Sequence, residues 1–153
     1  MAGMGQGSGL AERVAWELHV ELATRIAVVP LPEGEGLLVE AVASLDELGV
    51  RCRRVVQRLR PQPYPDSVGF RVESLARRLL VDLVDPFLRR WKPETTAWTE
   101  RRPPGAGPLE HEAAWTEATV LRAELGRLRE QLRPIAVELA ELAGAAPLTV
   151  SAG

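Results

Sequence analysis

The sequence predicts an all-α protein, an antiparallel four-helix bundle with a long, Pro-rich connection before an extended C-terminal helix. Three observations predict it. Leu121, Leu125, Leu128, Leu132, Ile135, Leu139 and Leu142 alternate spacings of 4 and 3, a heptad seam over three repeats. That rhythm keeps one narrow apolar stripe turned toward neighbouring helices. Leu10, Val14, Leu18, Leu22 and Ile26 recur every four residues in a second such stripe. No run alternates apolar and polar residues as a half-buried strand would, and no internal repeat interrupts the pattern.

Residues 1–9, MAGMGQGSG, are Gly-rich and are expected to form a flexible tail. The first helix is expected over about 10–29, where Pro30 and Pro32 end it by removing backbone donors. A short loop through Glu33 to Gly36 follows. The second helix is expected over 37–60. Leu38, Leu45, Cys52 and Leu59 form one of its heptad rows, and Ala41, Leu48 and Val55 form the other. Cys52 thus falls in the seam and reads as a small apolar filler. Arg60 to Pro65 ends the helix in a stiff, extended connection.

Asp66 or Ser67 can cap the third helix, expected over 67–91, by accepting from its first free amides. Val72, Leu75, Leu79, Leu83, Phe87 and Trp91 line one side, widened by Leu80, Val84 and Leu88. Pro86 should kink or split this helix. From Trp91 to Pro108 four prolines and two glycines predict a long connection, with at most a helical turn around Glu94 to Thr99. The fourth helix is expected over 109–143. Gly107 caps it, Pro108 suits its first position, and Glu110 and Glu112 complement the positive end of its dipole. Pro134 should bend it, Gly144 ends it as a left-handed terminator, and 145–153 is expected to be a second tail. Residues 10–144 are therefore expected to be one bundle domain.

With 153 residues, 46% apolar and 26% charged, the chain can bury a core unaided. Its net charge is −2, which offers no general attraction to nucleic acid or membrane. The charge is segregated, however: −6 over 1–50, +7 over 51–102 and −3 over 103–153. Such a division predicts pairing between helices or one basic face. A lone cysteine excludes an intrachain disulfide. The opening residues lack the basic start and apolar run of a signal peptide, and no stretch nears the roughly 18–20 apolar residues of a membrane span. A cytoplasmic protein is expected, without membrane association.

Few residues invite chemistry. His19 lies between Glu17 and Glu21, but positions two apart do not share a helix face. Neither His19 nor His111 follows a Glu at the three-residue spacing of carboxylate-bridged bundles, so no metal or other cofactor is expected and His19 reads as part of a solvated polar face. There is no Gly-x-Ser-x-Gly elbow and no phosphate-cradling glycine loop. Paired acids such as Asp82 and Asp85 are ordinary on helix surfaces. No catalytic residue is assigned, and a non-enzyme is expected.

Two sets of binding residues remain. Arg51, Arg54, Arg58, Arg78, Arg89 and Arg90 could assemble a face for nucleic acid or another anion, or could pair with acids of the first and fourth helices. Aromatics that would stack bases are missing beside Arg51 to Arg60, which makes nucleic acid the lesser expectation. Trp91, Lys92, Pro93 and Trp98 border the Pro-rich connection, where tryptophans can anchor a partner or clamp the loop over the bundle end. Trp16 and Trp115 are expected in or beside the core.

The stretches ELATRIAVVPLPEGEGLL (Glu21 to Leu38), DPFLRRWKP (Asp85 to Pro93), HEAAW (His111 to Trp115) and LRAELGRLREQL (Leu121 to Leu132) resemble a group of uncharacterised bacterial helical proteins. Similar modules are associated with multi-protein conflict or defence loci, alongside protease-like partners. The resemblance implies an accessory role and assigns no site residues. The function expected is a non-enzymatic interaction module that docks a protein partner or itself through its helices. The alternative is a small binder of nucleic acid or anionic ligands through the arginine face.

Overall fold

The heptad rhythms become helices almost throughout. In the computed structural model, which describes residues 4–25, 36–59 and 67–148, the elements are α1 (Met4–Thr24), α2 (Leu38–Leu59), α3 (Val68–Arg77), a π-helical stretch (Arg78–Val84), α4 (Asp85–Glu100), α5 (Pro108–Ala113) and α6 (Ala118–Leu142). There is no strand among the described residues. All seven residues of the two α2 rows are buried. So is the α6 seam from Leu121 to Leu139, with Leu142 packed at its edge. In α1, Val14, Leu18 and Leu22 are buried beside Ala11 and Ala15; Ile26 lies outside the described residues.

Several ends follow the local chemistry of the sequence. Ser67 caps α3, its Oγ accepting from the Phe70 amide at 3.1 Å. Gly107 and Pro108 open α5 in extended and helical conformations respectively. Gly144, at φ +69°, ends α6. Its amide donates to Glu141 O and that of Ala145 to Ala140 O, both at 3.0 Å, so the last carbonyls are satisfied by a left-handed cap.

Three expected boundaries are corrected. Helix α1 begins at Met4, inside the glycine-rich stretch expected to be a tail. Adding residues to an established helix requires far less than nucleating one, and a packed α1 carries its first turns with it. The third helix does not stop at Trp91. It runs on to Glu100, so the expected connection Trp91–Pro108 is helical for most of its length and only 101–107 is not. Pro86 is accommodated by the π-helical turn before it, where the Asp85 amide reaches back five residues to Leu80 O. The wider turn draws the preceding carbonyls away from the proline ring, which would otherwise break the helix. Pro93 lies inside α4, where packing of Trp91 and Trp98 outweighs a local penalty of about 3 kcal/mol.

The expected helix over 109–143 is two helices. It breaks over 114–117, and the break turns Trp115 inward against Trp91 and Trp98. Helix propensity is overridden by a tertiary contact. Across Pro134, by contrast, α6 continues uninterrupted.

Ion pairs record how the helices lie. Arg58 meets Glu17 at 3.1 Å, Arg51 meets Glu21 at 3.2 Å and Arg25 meets Glu47 at 3.1 Å, so α1 rises in number as α2 falls. The same inversion joins α2 to α4 through Arg53–Asp85 at 2.9 Å and Lys92–Asp46 at 2.8 Å. It joins α3 and α4 to α6 through Arg71–Glu138 at 3.2 Å and Arg90–Glu124.

Candidate interaction surface

One stripe of α4 carries the sequence positions that can face a partner. Asp85, Leu88, Arg89, Lys92, Pro93, Thr96, Ala97 and Glu100 recur three or four residues apart and so share a side of the helix. Facing them across a groove of about 720 Å³ stand Asp46 and Arg53 of α2. The groove exists because α4 presents Pro93, Thr96 and Ala97 where larger side chains would fill the gap. Leu88 is buried in its floor, whereas Pro93 and Ala97 are exposed. Lys92–Asp46 and Arg53–Asp85 bridge its walls. Arg89 and Glu100 also line it, and neither has a hydrogen-bond or ion-pair partner among the described residues.

The four residues expected at the connection are therefore divided by the helix. Lys92 and Pro93 line the groove, while Trp91 and Trp98 turn the other way. Trp91 is 1% exposed. Its Nε1 donates to Glu124 Oε2 at 2.5 Å, and the Arg90 guanidinium lies 4.7 Å from its ring centroid while pairing with the same carboxylate. Trp98 is half-buried and stacks on His111 at 4.4 Å and on Trp115 at 5.9 Å. Its Nε1 donates to His111 O at 3.1 Å, and His111 Nε2 donates to Trp98 O at 2.6 Å. A carbonyl only accepts, so Nε2 carries a proton. Both tryptophans are thus engaged within the fold, Trp91 by burial and Trp98 by stacking on His111 and Trp115.

Glu112 completes that end. Its buried carboxylate accepts the Leu38 amide with both oxygens, at 3.1 and 2.9 Å. An acid 74 positions away thereby caps α2 and complements its dipole.

The arginines do not gather in one place. Arg51, Arg54 and Arg58 line a second groove, about 450 Å³, between α1 and α2 beside Trp16. Two of them pair across it with Glu21 and Glu17. Arg90 is taken up by α6, Arg89 faces the α2–α4 groove, and Arg78 is exposed on the π-helical stretch. Among the described residues Arg54, Arg78 and Arg89 are without a partner.

His19 corrects the sequence reading most sharply. It is 2% exposed, not on a solvated face. Its Nδ1 donates to Ala136 O at 2.6 Å and its Nε2 accepts the Leu148 amide at 2.9 Å, with the Trp16 ring 5.3 Å away. One neutral tautomer ties α1 to α6 and to the segment after it. The signal was present: His19 follows Ala15 by four positions and precedes Leu22 by three, on the buried side. The flanking acids concealed it.

Cys52 is buried beneath the α1–α2 pairs. Desolvation chiefly, aided by the Glu21 carboxylate, pushes its thiol up to about 12. It is no nucleophile at neutral pH. Among the described residues no three His, Cys, Asp or Glu side chains converge as metal ligands, and no helix is long and apolar enough to cross a membrane. Comparison with protein-family models, curated proteins and solved structures finds no match to this chain.

Proposed function

We propose that the chain is a non-enzymatic interaction module, an antiparallel four-helix bundle that docks a protein through the groove between α2 and α4. The observation that carries the reading is the groove itself. Apolar Leu88, Pro93 and Ala97 are bordered by charged side chains, the arrangement of a small interface with a polar rim. The inverted order of the ion pairs supports the bundle. The resemblance to bacterial helical proteins of conflict or defence loci supports an accessory role in a multi-protein system.

The test is capture of partners by tagged protein, comparing wild type with Ala97→Trp, which fills the groove from an exposed position. Loss of a specific partner with an unchanged melting temperature is expected. Capture indifferent to Ala97→Trp would overturn the assignment of the groove. The alternative, an anion binder, draws on Arg51, Arg54 and Arg58 lining one groove beside Trp16. Retention on nucleic acid that falls steeply with salt would favour it, because phosphate contacts release counterions.

A further inference from the structure

We infer that the occupant of the α2–α4 groove is the same groove of a second copy, brought together by antiparallel packing of α4 on α4. This inference rests on the proposed docking role of that groove and names its partner.

The argument begins with charge. The walls carry Arg53, Arg89 and Lys92 against Asp46, Asp85 and Glu100, three of each sign. Such a surface does not draw a polyanion or a polycation. It suits one with the same mixture in inverse order. Asp46, Arg53, Asp85 and Lys92 are already paired within the chain, which leaves Arg89 and Glu100. These two lie eleven positions apart on one helix stripe, about 16 Å along its axis.

A two-fold axis passing midway between them makes the stripe its own complement. Arg89 then faces Glu100 of the second copy, and Glu100 faces its Arg89. Pro93 meets Thr96, and the Lys92 stem meets Ala97. In a two-fold interface each contact occurs twice, so two ion pairs close the ends of a strip whose centre is small and apolar. The small central side chains let the two helices approach closely. Exposed ion pairs contribute little by themselves; here they fix orientation and exclude like-charged arrangements, while burial of the exposed Pro93 and Ala97, with the Thr96 methyl and the Lys92 stem, provides the attraction.

The test is sedimentation equilibrium of the full chain at low ionic strength, at concentrations up to the order of 100 µM. Wild type is expected to form a dimer. Arg89→Glu and Glu100→Arg each set like charges against each other twice, and each should weaken dimerisation by about tenfold or more. The double variant Arg89→Glu/Glu100→Arg restores the opposition and should recover most of the affinity. Both positions are exposed, and circular dichroism checks that each variant keeps the wild-type helix content. A dimer indifferent to the single reversals, or a double variant no better than either single one, overturns the inference. So does a monomer across the concentration range. A monomer that still captures another protein, and loses it with Ala97→Trp, overturns self-docking while leaving the interaction module standing; a monomer whose capture is indifferent to that substitution sinks both.

Discussion

Along α6, Leu121, Leu125, Leu128, Leu132, Ile135 and Leu139 are buried without a polar partner, and periodicity alone holds them in place. Across the break that precedes α6 the contacts are of another kind. Around α5 a carboxylate caps a distant helix, two rings exchange hydrogen bonds with each other's backbone, and Trp98 stacks on both His111 and Trp115. The seam is redundant: each leucine repeats its neighbour's contribution, and the energy is spread over its length. The corner is not. Trp98, His111, Glu112 and Trp115 each hold something no neighbour can hold. Apolar burial tolerates a change of shape, whereas a buried hydrogen-bond donor left alone forfeits its full solvation.

The contrast can be broken first at the seam. Leu132→Asp places an unpaired charge at a position 0% exposed, and a loss above about 4 kcal/mol is expected, enough to unfold the chain or nearly so. A denaturant midpoint close to wild type would mean that α6 is not part of the core. At the corner, Trp98→Ala is expected to destabilise by about 3 kcal/mol, because its stacking on His111 and Trp115 and its Nε1 hydrogen bond are lost. Thermal melting reads this, and partner capture should be unaffected. Weakened capture with unchanged melting would instead make Trp98 an anchor.

Glu112→Ala sharpens the comparison. Leaving the Leu38 amide uncapped should lower stability by about 1–3 kcal/mol. Hydrogen exchange should quicken first at the start of α2; uniform quickening would deny the cap its local role.

Cys52 supplies a test in pH. Its thiol titrates at about 12 in the folded chain against an ordinary 9.0, so between these values the unfolded state has released a proton that the folded state retains. Stability is therefore fully present below pH 9 and falls as pH rises toward 12, by up to about 1.4 kcal/mol per pH unit. Cys52→Ala should lack this share of the alkaline loss. Equal slopes for the two proteins between pH 9 and 11 would show that the thiol is accessible.

The smallest effect is a gain. Gly126 lies inside α6 with open space where a Cβ would stand, and Gly126→Ala should stabilise by about 0.5–1 kcal/mol. A loss in that variant would place an unseen contact on this face of the seam.

Much of this chain was legible before the structure. The rows of α2, the stripe of α3 and α4 and the seam of α6 could be read because helical burial repeats at 3.5 or 3.6 residues, a local property. The cap at Ser67 and the terminator at Gly144 were likewise local, since a side-chain oxygen or a positive φ acts within one turn. Of the candidate site, Lys92, Pro93 and Arg89 were singled out, but not their separation from Trp91 and Trp98. That division needed α4 to continue through Pro93.

Only the tertiary structure decided the rest. The sequence itself determined which faces are apolar, because that depends on neighbours three and four positions away. It did not determine that Glu112 would reach Leu38, that His19 would join Ala136 to Leu148, or that the helix would break so that Trp115 could turn inward. Each of these contacts depends on groups distant in the chain, and the energy that favours it exists only once the helices have met. Pro93, expected in a connection, lies inside α4 for the same reason: a local penalty of about 3 kcal/mol yields to the burial of the Trp91 side chain.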